Sequence, residues 1–165
     1  MGLEQNAKRL TVTSYGPRKT ITKMGGVNDN NWRRIATWTF NYDDLPAPGT
    51  YNLQHVIPAG SSIISARLRI ITAFTSTSTT TDLTVGLQQA DGTVIDNSGL
   101  VSATDATQTT IGTAGNVITG TGTLVGKTIG AANGELVVAP TVADLLTGRA
   151  ELVVEYFLPA PVQQS

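Results

Sequence analysis

A chain of 165 residues, 40% of them hydrophobic, is long enough for one domain with its own core. Its 26 threonines, 17 glycines and only 14% charged residues favour pleated strands and turns over surface helices, which draw on Glu, Lys, Arg and Gln. With no cysteine and a single histidine, disulfides, thiolate metal sites and multi-histidine centres are excluded.

The formal net charge of −1 conceals a division. Residues 1–34 carry seven basic groups (Lys8, Arg9, Arg18, Lys19, Lys23, Arg33, Arg34) against Glu4 and Asp29, a net +5. Residues 35–165 carry four basic and ten acidic groups, a net −6. That split predicts a basic arm on an acidic body. No apolar run is long enough to span a bilayer. The start, MGLEQNAKRL, lacks the apolar stretch of a secretory signal and has Asn6 where a myristoylation motif needs Ser or Thr. A soluble chain made in a cytoplasm is expected.

In chain order, residues 1–31 read as the extended arm, broken by Gly16-Pro17, Gly25-Gly26 and the run Asn28-Asp29-Asn30-Asn31. The body, 32–165, opens with a half-buried strand over 33–42, with Ala36, Trp38, Phe40 and Tyr42 on one face. A second strand is expected over 51–57. The third, over 62–74, places Ile64, Ala66, Leu68, Ile70, Thr72 and Phe74 on one face and Ile63, Ser65, Arg67, Arg69 and Ile71 on the other. Residues 75–81 read as a flexible loop. Leu83, Val85 and Leu87 point inward from a strand over 82–88, which turns through Asp91-Gly92 into Val94-Ile95. Residues 96–116 read as a long polar loop with one short strand. Residues 117–129 give one or two glycine-broken strands, 135–139 a short strand, and 142–146 a helical turn or a bend ended by Thr147-Gly148. The last strand, 149–158, alternates Ala150, Leu152, Val154, Tyr156 and Leu158 against its polar face. About eight turn-delimited strands without a long helix predict an all-β, jelly-roll-like β-sandwich.

The candidate chemistry is thin. GTGTLVGKTIG, residues 120–130, looks like a phosphate loop, but the glycine that should stand five residues before Gly126-Lys127 is Thr121, and no helix follows. It reads as a glycine-broken strand. His55 has no partner for a metal site or a base-assisted nucleophile. Asp82, Asp91, Asp96 and Asp105 do not match calcium-loop spacing, and Asp91-Gly92 is first a turn signal. Asp43 and Asp44 read as solvated turn residues. Of nine aromatics, six fall between residues 15 and 51: Tyr15, Trp32, Trp38, Phe40, Tyr42 and Tyr51. Trp38, Phe40 and Tyr42 read as core, whereas Tyr15 and Trp32 are candidates for an interface. The basic arm suits phosphates, an acidic protein surface or a neighbouring subunit, or is a solvated tail; no nucleic-acid-binding fold accompanies it.

Residues 56–71 (VIPAGSSIISARLRII), the Thr-rich loops and residues 146–157 (LTGRAELVVEYF) resemble the jelly-roll capsid decoration, or cement, proteins of tailed bacteriophages. The resemblance covers residues 35–158. It implies a non-catalytic virion protein that sits as a homotrimer on the outer capsid surface and stabilises the shell. Its partners would be the major capsid protein and itself, with no cofactor, nucleic acid, membrane or small-molecule substrate. The capsid-binding arm would then comprise Lys8, Arg9, Tyr15, Arg18, Lys19, Lys23, Trp32, Arg33 and Arg34. Lys127, the only basic residue between Ile70 and Gly148, is a candidate for an ion pair between subunits. The alternative is a tail or receptor-binding module for host surface glycans. A cupin-like metalloenzyme lacks the histidines it would need.

Overall fold

The computed structural model describes residues 33–45 and 51–159, with the backbone alone for 51–54. Eight strands fall within them: β1 (Arg33–Asn41), β2 (Tyr51–Ile57), β3 (Ser62–Ser76), β4 (Leu83–Gln88), β5 (Val94–Val101), β6 (Val117–Thr119), β7 (Gly134–Pro140) and β8 (Leu145–Phe157). A 3-10 turn at Tyr42–Asp44 follows β1, and one helical turn, α1 (Gln108–Ile111), lies between β5 and β6. The Thr107 side chain caps α1 by accepting from the Thr110 amide. The arm over 1–31, and Trp32, lie outside the described residues.

The chain doubles back at the turn between β4 and β5. From there outward, β4 pairs with β5, β3 with β6, β2 with β7 and β1 with β8, all antiparallel. Rolling this doubled ladder sets β3 beside β8 and β4 beside β7. Two four-stranded sheets result, β1-β8-β3-β6 and β2-β7-β4-β5. This is a jelly roll, the all-β sandwich the alternation predicts.

The core is the inner face of both sheets. Phe40 on β1, Ala66, Leu68, Ile70 and Phe74 on β3, and Leu152 and Val154 on β8 meet Leu83, Val85 and Leu87 on β4 and Leu136 and Val138 on β7. Phe40 and Phe74 pack ring to ring at 6.3 Å. Near-complete burial of so many apolar side chains is the main favourable term for a sandwich of this size.

Several expectations are corrected by backbone irregularities. In β3, Ile63 is 1% exposed and Ile64 39%, the reverse of simple alternation. The pairing with β8 slips between Ile63 and Ser65, so Ile64 is the extra residue of a bulge and every side chain before it changes face. A second slip between Ile70 and Thr72 turns Ile71 and Thr72 both outward, and a third before Thr75 returns Phe74 to the core. β3 runs on to Ser76, whose hydroxyl bonds Thr81 Oγ1 at 2.9 Å and the Asp144 carbonyl at 2.8 Å, so the Thr-rich segment is tied at its base. β5 reaches Val101, longer than expected, because Gly86 gives its backbone room: a Cβ there would overlap Asp96 and Asn97. Tyr42 leaves the inner face because β1 ends at Asn41. β8 begins at Leu145, with Thr147 and Gly148 inside the strand; of the helical turn or bend expected over 142–146, the chain makes the bend, at 141–143, before the strand starts.

Gly148 holds this last irregularity. Its φ of 131° is open to glycine and strained for other residues, and a Cβ would overlap the Phe74 ring. Gly148→Ala is expected to destabilise the fold by about 1–3 kcal/mol. The denaturation midpoint should fall at unchanged slope; an unmoved midpoint would show that Phe74 is not confined as described.

Candidate functional site

Two of the glycines of residues 120–130, Gly120 and Gly122, serve packing. A Cβ on Gly120 would overlap the Leu100 carbonyl, and one on Gly122 the Gly99 backbone, so this segment lies directly against β5. The amides of Gly120, Gly122, Leu124 and Gly126 donate to the carbonyls of Ala66, Leu100, Gly99 and Ile63, and the Thr121 amide to Asp105. A phosphate loop needs such amides free. The segment is also not the strand expected: β6 stops at Thr119, and one bridge, Ser62 to Thr128, is all the sheet pairing beyond it. Lys127 is exposed in this loop, with no ion pair among the described residues.

The carboxylates fix loops. Asp105 accepts from the Ser102 amide at 2.9 Å, the Thr121 amide at 2.8 Å and Thr121 Oγ1 at 2.7 Å. Partial burial pushes its pKa up, but these hydrogen bonds, Thr121's first, outweigh that and hold it below the ordinary value. Asp96 behaves alike: burial is opposed by Thr123 Oγ1 and by the Ser98 amide and hydroxyl, and the net shift is downward. Asp82 accepts the Gln108 amide at 2.9 Å at the start of α1. Asp91 accepts the Thr93 amide at 2.8 Å, the turn the Asp-Gly pair announces. No group of three potential metal ligands exists among the described residues. Alternating Gly and Thr at 120–123 was the available signal for these Asp–Thr ties.

His55 sits half-buried where the β1 and β2 edges meet. Its ring lies 4.6 Å from that of Trp38, and Nε2 is 3.2 Å from the Tyr156 hydroxyl. Burial lowers its pKa from the ordinary 6.5. Burial raises that of Tyr156, against a smaller opposing pull from Arg34. Trp38 and Tyr156 thus belong to the body as expected, with His55 as their polar neighbour.

Of the expected arm residues, Lys8, Arg9, Tyr15, Arg18, Lys19, Lys23 and Trp32 lie outside the described residues. Arg33 and Arg34 are in β1, the first strand of the body. Arg33 pairs with Glu155 across to β8, and Arg69 with Glu151 at 3.1 Å. These pairs lie on the outer face of the β1-β8-β3-β6 sheet. Arg67 and Arg149 are exposed there without an ion pair among the described residues, beside exposed Ile35, Phe157 and Val117. Surface pairs of this kind contribute little to stability, about 0–1 kcal/mol; they neutralise two of the four arginines on this face. No helix among the described residues is long and apolar enough to cross a membrane.

No known protein family matches the chain, and no curated protein does. Solved structures do. A chain of the acidic stable capsid structure of Helicobacter pylori bacteriophage KHP30 is similar over 78% of this chain and 90% of its own, with 23% identity and a TM-score of 0.52. Chains of the cyanophage Pam1 capsid asymmetric unit and of the Ralstonia phage GP4 capsid share 19% and 18% identity, each over 77% of this chain and 85% and 86% of their own, with TM-scores of 0.49. At these identities the likeness is one of fold.

The His55 geometry carries a pH dependence. Burial disfavours the charged ring, while the neutral ring shares a hydrogen bond between Nε2 and the Tyr156 hydroxyl whose direction follows the tautomer. Because the folded pKa lies below 6.5, the unfolded chain binds a proton that the folded chain does not at pH values between the two. Stability contributed by neutral His55 is therefore complete above that window and lost as pH falls through it. Thermal melts from about pH 7 to pH 5 should show a falling midpoint that flattens in His55→Gln. Equal slopes in both proteins would remove His55 as the cause.

Proposed function

We propose that this chain is a structural, non-catalytic protein of a bacteriophage virion, and that it decorates the outside of the capsid as a homotrimer that binds the major capsid protein. One observation carries the reading: the jelly roll described above is shared, over most of both chains, with a chain of a phage capsid structure. The chemistry of the body supports it. The four loop aspartates described above are engaged by hydroxyls and amides, which leaves them to hold shape. Thr-rich surfaces can meet a neighbour without desolvating charge, and symmetric repetition multiplies contacts that are weak one by one.

In this reading residues 1–31 grip the shell. Their positive charge would steer the protein onto an acidic surface and make attachment salt-dependent. Arg33 and Arg34 stand where that arm joins the sandwich. Imaging of assembled particles should place the body on the outer shell, and deletion of residues 1–31 should abolish attachment while leaving a folded oligomer. Density at a tail tip, or within the shell wall as the shell-forming subunit itself, would overturn the decoration role, as would retained attachment after the deletion.

Lys127 belongs to the same proposal. As an exposed cation in an otherwise acidic stretch, it would pair with a carboxylate of the next subunit. Lys127→Glu is expected to shift the oligomer toward monomer in sedimentation at low salt. An unchanged oligomer makes Lys127 an ordinary solvent-facing residue.

A further inference from the structure

A groove of about 370 Å³ opens at one end of the β1-β8-β3-β6 sheet. It exists because three strands part company there. β1 stops at Asn41 and turns off through Tyr42 and Asp43, while β8 and β3 continue to Leu145 and Ser76. Arg149 lies in register with Asn41 on one side and Thr72 on the other. The bulges of β3 turn Thr72 outward, and Thr147 and Arg149 flank Gly148, whose missing side chain makes room for Phe74 on the core side.

The lining is specific in kind. Tyr42 presents an exposed ring, Asp43 a carboxylate and Arg149 a guanidinium; Thr72 and Thr147 complete the lining, the Thr147 hydroxyl being engaged with Thr75 Oγ1 and the Ala73 carbonyl. Asp43 and Arg149 form no ion pair among the described residues, although both line the same groove. Two opposite charges that leave each other unpaired keep their hydrogen-bonding capacity for something else: Arg149 has donors in a planar fork, and Asp43 has acceptors. An aromatic face beside a matched donor and acceptor suits a ligand that is apolar on one face and rimmed with hydroxyls. The charges cancel, and Asp44 adds a further carboxylate nearby, so a phosphate or a carboxylate ligand is disfavoured.

We propose that this groove binds a neutral pyranose, a hexose or N-acetylhexosamine residue of a glycan. The C–H face of the sugar stacks on Tyr42, and its vicinal hydroxyls donate to Asp43 and accept from Arg149. The volume lies at the lower end of the range for small-molecule sites and accommodates one or two sugar units. The proposal is independent of the capsid reading, since a glycan site is compatible with a position on the shell or on the tail.

The test uses the full chain, uniformly labelled with 15N, titrated with methyl β-glucopyranoside, methyl β-galactopyranoside and N-acetylglucosamine, with glucuronate as the charged control. A ligand of roughly a dozen heavy atoms at an open site is expected to bind with Kd on the order of millimolar. At least one neutral sugar should shift the amide resonances of residues 41–43 and 147–149. Tyr42→Ala and Arg149→Gln should each weaken binding about tenfold or more, while Tyr42→Phe, which keeps the ring, should retain it. Spectral dispersion of each variant establishes that it is folded. The proposal is overturned if no sugar shifts those residues at about 50 mM, if glucuronate binds better than every neutral sugar, or if folded Tyr42→Ala and Arg149→Gln bind like the parent.

Discussion

β8 is the strand on which the rest of the sandwich depends. It pairs with β1 from Arg33↔Phe157 to Asn41↔Arg149, and on its other edge with β3 from Ser62↔Phe157 to Ser76↔Leu145. The first strand of the body is therefore completed by the last. Ala150, Leu152, Val154 and Tyr156 fill the middle of the inner face between the two partners. Without β8 the sheet has no centre: among the described residues β1 loses its only sheet partner and β3 keeps just the three-residue β6. Pairing across so much sequence makes folding slow for the domain's size and ties the sheet together as a cooperative unit.

The connections are held by a different device. The aspartates at 82, 91, 96 and 105 each accept backbone amides, and at 96 and 105 a threonine hydroxyl from residues 121–123 joins them. One carboxylate thus ties two loops, since Asp105 joins the segment after β5 to the one after β6. Ionised carboxylates that accept several hydrogen bonds are stabilised in that form, which keeps the ties intact at neutral pH. The consequence for the surface is electrostatic. Negative charge is absorbed into loop geometry, and Arg67, Lys127 and Arg149, exposed and without an ion pair among the described residues, stand out against it.

Strict alternation made much of this legible in the sequence. β4 and the inner face of β8 follow the period of two, and the turn at Asp91-Gly92 forms as its residues dictate. Where the reading fails, a bulge or a close backbone approach is responsible. Ile63 and Ile64 are chemically alike, so their composition could not show which faced inward; the pairing with β8 decides it. Gly86 interrupts an otherwise apolar strand, a signal for the close approach that allows β5 to run through polar residues. The groove at Arg149 was not legible at all. Its walls come from residues 41–43, 72 and 147–149, and only the different end-points of three strands bring them together.

The way β1 enters the sandwich also bears on how an arm could work. Whatever residues 1–32 bind, their covalent connection to the body is Arg33, and β1 begins there. The Arg33 guanidinium engages Glu155, and the strand behind it is hydrogen-bonded to β8 along its whole length. A pull directed along β1 would load this ladder of bonds together. An arm leaving from a loop would load a few turn contacts in succession. In the proposed decoration role, an arm continued from β1 would be joined to the strand that holds the sheet together. The two arginines at the start of β1 differ: Arg33 is committed to β8 through Glu155, and Arg34, exposed beside Tyr156, has no ion pair among the described residues.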